Sequence, residues 1–370
     1  MKIPSVDLPA QYAGLRKEIH AALDRVMARG DAVLGEAVTR FEAAFARSCG
    51  AAYGIGVNSG TDALSLSLAG LGIGAGDEVI TTAYTFFATA SAITHCGARP
   101  VPVDIDPVTY NLDPDRVEQA ITRRTKALVV VHLFGQPAQM DRLCAIARRR
   151  RLALVEDCAQ AHGARFQGRH VGTFGQAGAF SFYPTKNLSA LGDAGMVVTD
   201  SRALQHRVRL LRDHGRNGKY RHPLIGRNSR LDTFQAAVLD AKLSRLAAWN
   251  RTRARLAQHY AERLRRLAPA VMIPHRAPGR DHVYHLYVVR VRSRDRVLRM
   301  LQARGVQALV HYPVPFYLQP AFRWLGCRRG SFPHAERLAR EAISLPIYPE
   351  MRPDQVARVA RELAQAVRAA

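Results

Sequence analysis

Between residues 50 and 200, short runs of apolar and β-branched residues alternate with stretches patterned for helices. The candidate strands are 53–57, 78–81, 99–103, 127–132, 152–156, 179–182 and 196–199. Helical patterns at 62–71, 87–96 and 138–149 fall between them. Such alternation predicts a mainly parallel sheet covered by helices on both faces. Two further helical stretches, 231–246 and 247–267, lead to a strand at 282–291 and a closing helix at 353–369. The expected architecture is therefore α/β. A large domain spans 1–248, and a smaller α+β C-terminal domain spans 249–370. The N-terminal residues are available to pack on the smaller one. The 370 residues are 48% hydrophobic, enough to bury a core of that size.

Composition removes several function classes. There is no 18-residue apolar run to span a bilayer. The opening MKIPSVDLPAQYAGL lacks the apolar centre of a signal peptide, so a cytoplasmic protein is expected. The cysteines (Cys49, Cys96, Cys144, Cys158 and Cys327) form no CxxC pair and read as reduced thiols. Neither a disulfide frame nor a metal site is expected. The net charge of +24 invites nucleic acid as a partner. Yet of the 54 basic residues only six are lysine, and the 48 arginines are spread along helical patterns. Their one short run, 148–151, closes a predicted helix, where it complements the dipole. No helix-turn-helix pattern accompanies them. The charge reads as a solvated basic surface that attracts anions such as nucleotides, with a DNA-binding regulator as the distant alternative.

In an open α/β sheet, ligands sit beyond the carboxyl ends of the strands. Three segments place polar residues there. Asn58-Ser59-Gly60-Thr61-Asp62 follows a strand and opens a helix, which presents amides at the positive end of a dipole. That suits a phosphate, though Ser59 or Thr61 also serves as an ordinary cap. Glu156 to Gly163 (EDCAQAHG) follows an apolar strand. A carboxylate buried there requires a positive partner such as a protonated pyridine nitrogen, or else it is a turn residue binding backbone amides. The third segment, FSFYPTKN, holds Lys186. In a chain that uses arginine for nearly every cation, a lysine between an aromatic strand and a Gly-rich stretch is informative: it is either an ordinary surface lysine, which its apolar neighbourhood disfavours, or a chemical group. An amine can lose its proton and attack a carbonyl; a guanidinium cannot.

The segments GTDALSLSLAGLGIGAGDEVITTAYTFFATASAI, VEDCAQAHGA, FSFYPTKNLSALGDAGMVVTD and GRNSRLDTFQAAVL resemble the DegT-type sugar-nucleotide aminotransferases. That family has the type I aminotransferase fold and uses pyridoxal 5'-phosphate. HVYHLYVVR, HYPVPFYLQPAF and AISLPIYPEM extend the resemblance over nearly the whole chain. The resemblance implies that Lys186 is the catalytic residue and carries the cofactor as a Schiff base. Asp157 would pair with the pyridine nitrogen, and Gln160 would bond the ring hydroxyl. Gly60, Thr61 and Ser181 would hold the phosphate, and Phe86 would cover the ring. Asn228 would reach the phosphate of a neighbouring subunit, making a homodimer with shared sites. The implied reaction transfers an amino group from an amino-acid donor, glutamate, to a nucleotide-linked keto-hexose.

His311-Tyr312-Pro313 with Gln319-Pro320-Ala321-Phe322 resembles members acting on 3-keto sugars, so His311 and Tyr312 are candidate substrate ligands. Tyr183 and His214 are further pocket candidates. Tyr317 stands where a histidine often precedes Leu-Gln-Pro in those members. A 4-keto sugar or a keto-cyclitol is the alternative acceptor. Family dehydratases generally carry histidine at the position of Lys186, which disfavours that branch.

Overall fold

The computed structural model describes residues 2–370. Helices α1 (Leu8–Ala13), α2 (Arg16–Arg29) and α3 (Glu36–Cys49) come first. Next come β1 (Tyr53–Val57), α4 (Gly60–Gly70), β2 (Glu78–Thr82), α5 (Phe87–His95), β3 (Arg99–Val103), α6 (Pro114–Ala120), β4 (Thr125–Val131), α7 (Met140–Arg150) and β5 (Ala153–Asp157). A two-residue ribbon, β6 (Arg165–Phe166) and β7 (Arg169–His170), precedes β8 (Ala177–Ser181) and β9 (Gly195–Thr199). These strands, the ribbon apart, form one sheet in the order β1-β9-β8-β5-β4-β2-β3. Only the β9 pairings with β1 and β8 are antiparallel. The mainly parallel sheet read from the sequence is present.

The sheet is buried on both faces, as parallel sheets require. Alternate residues of each strand point to opposite sides. Val79, Val129 and Val155 pack with Leu64 and Leu68 of α4 on one side. Ile80, Leu128, Val130 and Leu154 pack with Leu143 and Ile146 of α7 on the other. Each fully buried aliphatic side chain contributes about 1.5–3 kcal/mol. The arginine run ends α7 as its charge suggests, with Arg151 in the left-handed region at φ 55°.

Helices α8 (Arg202–Arg212), α9 (Thr233–Leu243) and α10 (Leu246–Leu264) follow. The last part holds β10 (Val271–Met272), β11 (Tyr287–Val291), α11 (Arg294–Ala303), α12 (Pro333–Glu341), β12 (Ala342–Leu345) and α13 (Pro353–Arg368). Its three strands form an antiparallel sheet. Leu246 at the start of α10 belongs to the core under α3 and α9, whereas Leu256, Tyr260 and Leu264 belong to the core built on β11, β12 and α13. Ile3 joins that second core, its backbone bonded to Gly305 and Gln307.

The strand expected at 282–291 is shorter than its apolar pattern implied. Only Tyr287–Val291 pairs in the sheet. Tyr284 has φ +46°, which breaks the extended run, and Val283 and Leu286 donate instead to the carbonyls of Gly135 and Phe134. The segment therefore ties the smaller sheet to the β4 exit.

Candidate active site

Register places the three polar segments side by side. Val57 and Ser181 both pair with Gly195, and Asp157 pairs with Val131 and with Ala179. The ends of β1, β5 and β8 and the start of β9 thus share one sheet edge. Ser59 caps α4 by accepting from the Asp62 amide at 3.1 Å. The Gly60 and Thr61 amides find no acceptor among the described residues and stand at the positive end of an 11-residue helix. A Cβ on Gly60 would lie 2.5 Å from the Ser181 Cβ, and one on Gly195 would lie 2.3 Å from the Ser59 carbonyl oxygen. Only glycine lets the three backbones close into this cup.

Asp157 ends β5 and is buried. One of its oxygens accepts from Thr89 Oγ1 at 2.9 Å and the other from the Ala159 amide at 3.1 Å. Two acceptor positions remain on the carboxylate. Burial raises its pKa, against the pull of those hydrogen bonds and of the Lys186 charge. Thr89 is itself bonded to Thr85 at 2.9 Å.

Lys186 lies on the loop between β8 and β9, which folds back when Ala190 donates to the Phe182 carbonyl. Its amine is partly buried and makes no hydrogen bond or ion pair with any described residue. Burial lowers its pKa to about 8, with Asp157 opposing. An amine so placed is neutral in a sizeable fraction near physiological pH. The neighbouring Asn187 is clamped, donating to Asn250 at 2.9 Å and to the Val283 carbonyl at 3.0 Å.

Gln160 is buried, and its amide is oriented from both ends. Its carbonyl accepts from the Phe134 amide at 2.6 Å, and its Nε2 donates to the Tyr312 hydroxyl at 3.0 Å. Through that bond the HYPVP segment reaches the EDCAQAHG turn across 152 residues of sequence. Tyr84 fixes the approach, donating to the His311 carbonyl at 2.7 Å and accepting from the Tyr312 amide at 2.5 Å. The Phe86 ring is 54% exposed and lies 5.6 Å, centroid to centroid, from that of Tyr312. His311 shares a hydrogen bond with Ser344 at 2.8 Å, and burial lowers its pKa to about 4. Burial also holds the Tyr312 phenol in its protonated form.

Other candidates lie farther out. Tyr183 is exposed. His214, at φ +58°, sits on the 213–228 excursion, bonded through its backbone to Arg227 and His222. Asn228 is exposed and bridges Asp213, while its neighbours Arg227 and Ser229 bind Asp62 of α4. Thr89, Tyr84, Asn187 and Asn250 belong to the site without having been singled out in the sequence. Only Thr89 carried a signal, since it lies one helical turn from Phe86. His132, Glu156 and Cys158 bring three ligating atoms within 4.8 Å of one another. The Glu156 oxygens, however, already serve His132 and the amides of Gly172, Phe174 and Gly175. A separate groove of about 1470 Å³ that includes Arg251, Arg255 and His282 is lined by Asn250 but by none of the site residues singled out in the sequence.

The sequence profile described as the DegT/DnrJ/EryC1/StrS aminotransferase family matches residues 14–364. This chain belongs to that family. Aminotransferases of the DegT/DnrJ/EryC1/StrS family use pyridoxal 5'-phosphate, which makes this chain a pyridoxal-phosphate-dependent aminotransferase. It is 51% identical to the erythromycin biosynthesis sensory transduction protein EryC1 of Saccharopolyspora erythraea, over 95% of this chain and 96% of the relative. It is 48% identical to the dTDP-3-amino-3,4,6-trideoxy-alpha-D-glucose transaminase of Streptomyces venezuelae, over 97% and 94%. The crystal structure of S. venezuelae DesV in complex with a ketimine intermediate superposes with a TM-score of 0.97 at 47% identity, covering 99% of this chain and 98% of that one. No helix among the described residues is long and apolar enough to cross a membrane.

The residues fit the cofactor on three independent observations. The glycine-walled cup at the start of α4 offers amides and hydroxyls to a phosphate. A buried carboxylate has acceptor capacity to spare, and a depressed, unpartnered amine stands in the same site.

Proposed function

We propose that this aminotransferase moves an amino group between an amino-acid donor, glutamate, and a nucleotide-linked 3-keto hexose. In this reading Lys186 holds the cofactor covalently. Asp157 binds its ring nitrogen, Gly60, Thr61 and Ser181 bind its phosphate, and Phe86 covers its ring. Once bound, pyridoxal phosphate would supply an electron sink for bond breaking at the donor carbon. The residues do the rest. Asp157, held by Thr89 and the Ala159 amide, would present its anionic oxygens to the ring nitrogen and favour its protonated form. Lys186 Nζ, lowered to about 8, takes a proton from the substrate carbon and returns one. Gln160, oriented by Phe134 and Tyr312, has one amide N–H left to offer the ring hydroxyl. Tyr312 accepts from Gln160, so its own hydroxyl proton remains for the sugar. His311, uncharged at neutral pH, hydrogen-bonds without drawing the diphosphate out of place. Asn228 reaches the phosphate of a second subunit in a cytoplasmic homodimer, and Tyr183 and His214 lie at the substrate mouth.

The observation that carries the acceptor assignment is the Gln160–Tyr312 hydrogen bond, which supports a substrate-binding role for the HYPVP segment by joining it to the turn after Asp157. The amino sugar named for the S. venezuelae relative supports carbon 3. The reaction run backwards tests it, with 3-amino and 4-amino nucleotide sugars offered as donors to 2-oxoglutarate. The 3-amino sugar should be consumed. Consumption of only the 4-amino sugar would overturn the carbon, and turnover of only a free amino-cyclitol would overturn the nucleotide.

A further inference from the structure

Lys242 stands out among the groups that the reaction does not use. It lies in α9, is wholly buried, and yet carries an amine. The amine donates to the Ser189 carbonyl at 2.6 Å and to Ser189 Oγ at 2.8 Å. Two aromatic rings also lie near it, Tyr12 at 5.3 Å and Trp249 at 5.9 Å. Burial lowers its pKa to about 8, and Glu350 opposes this. A buried amine is costly unless its bonds repay it. A methionine would fill the same space without that cost, so the amine is retained for what it holds.

What it holds is the loop of Lys186. Ser189 is three residues beyond Lys186, inside the turn closed by the Ala190–Phe182 hydrogen bond. The loop is pinned at three further points: Leu191 donates to Gln235 of α9, and Asn187 donates to Asn250 of α10 and to the Val283 carbonyl. Asn250 in turn donates to the His162 carbonyl at 2.7 Å, on the turn that follows Asp157. Gly163, at φ +82°, has no Cβ because one would lie 2.7 Å from the Asn250 amide nitrogen. The α9–α10 pair therefore grips both the lysine loop and the aspartate turn, and Lys242 is its cationic grip on the lysine side.

We propose that Lys242 is a positioning residue: through Ser189 it fixes the loop that aims the Lys186 amine at the cofactor and substrate carbons. The proposal rests on the reading of Lys186 as the cofactor lysine. Its test compares the full-length chain with Lys242→Met, which conserves volume, and with Ser189→Ala, which removes only one acceptor. Each is incubated with pyridoxal phosphate and fixed with borohydride, and the label on the Lys186 peptide is followed over time. Thermal midpoint and kcat at saturating cofactor are measured alongside. Lys242→Met should slow both labelling and kcat by about tenfold or more, the scale of a misplaced reacting group, while the KM for the amino donor holds. Ser189→Ala, which leaves the carbonyl as an acceptor for Lys242, should shift both by about threefold, the scale of one hydrogen bond lost from the grip. A purely structural lysine would lower the thermal midpoint and leave kcat of the loaded enzyme untouched. That pattern would overturn the proposal, and native behaviour of Ser189→Ala would do so if Lys242→Met does not fold. Label on another lysine in the unmutated chain would instead defeat the underlying reading, since the proposal fails alone only when Lys186 is labelled normally throughout.

Discussion

The amine of Lys186 is set by its surroundings more than by its own chemistry. Burial disfavours its charged form and brings its pKa to about 8, while the Asp157 carboxylate holds it from falling further. The sign of the resulting pH dependence follows. Below that value the amine is mostly protonated and inert, and above it mostly neutral and nucleophilic. The rate at which apoprotein captures pyridoxal phosphate should climb with pH up to about 8 and then level off. Stopped-flow absorbance across a pH series measures this. A rate still climbing at about pH 10.4, the range of an ordinary lysine, would show an unperturbed amine. Lys186 was legible in the sequence because lysine is rare in this chain. The same rarity marks Lys242, but the sequence offers no neighbouring segment to say what a lysine in the middle of a helix would hold. Its partner Ser189 lies 53 residues away and meets it only once α9 is packed.

The elements show where pattern reading succeeds and where it stops. Strands β2, β4 and β5 were readable because parallel strands buried on both faces must be apolar runs, and their ends fall within two residues of the pattern. The run at 282–291 misled because an apolar segment looks the same whether it pairs in a sheet or bends at Tyr284 to meet the β4 exit. The start of α4 was also ambiguous from sequence, since Ser59 alone satisfies the cap. The structure adds the packing of Gly60 on Ser181. Gly60→Ala should therefore cost about 1–3 kcal/mol through overpacking at the β8 end. Because the displaced group is Ser181, cofactor affinity should fall with stability. Chemical denaturation and a pyridoxal-phosphate titration of the same variant measure the two. Native affinity with native stability would mean that the cup is looser than this packing implies.

At the scale of the whole molecule, the site draws on both cores. Tyr312 comes from the segment between α11 and α12, Lys186 and Asp157 come from the large sheet, and Tyr84 bonds across the junction. None of these long-range pairings has a local sequence signal, so His311 and Tyr312 could be singled out only through resemblance. The proposed reach of the exposed Asn228 to the phosphate of a second subunit belongs to this scale; its neighbours Arg227 and Ser229 bind Asp62 of α4. Mixing an Asn228→Ala chain with a Lys186→Ala chain should recover activity, because a heterodimer rebuilds one site with both residues intact. Confirmed subunit exchange without recovery would count against shared sites. The most direct test of the central claim is chemical: reduce the pyridoxal-phosphate-loaded protein with borohydride, digest it, and locate the label by mass spectrometry. Attachment at Lys186 alone, in the FSFYPTKN peptide, is the predicted result. Attachment at Lys242 or any of the other four lysines, with Lys186 unmodified, would contradict it.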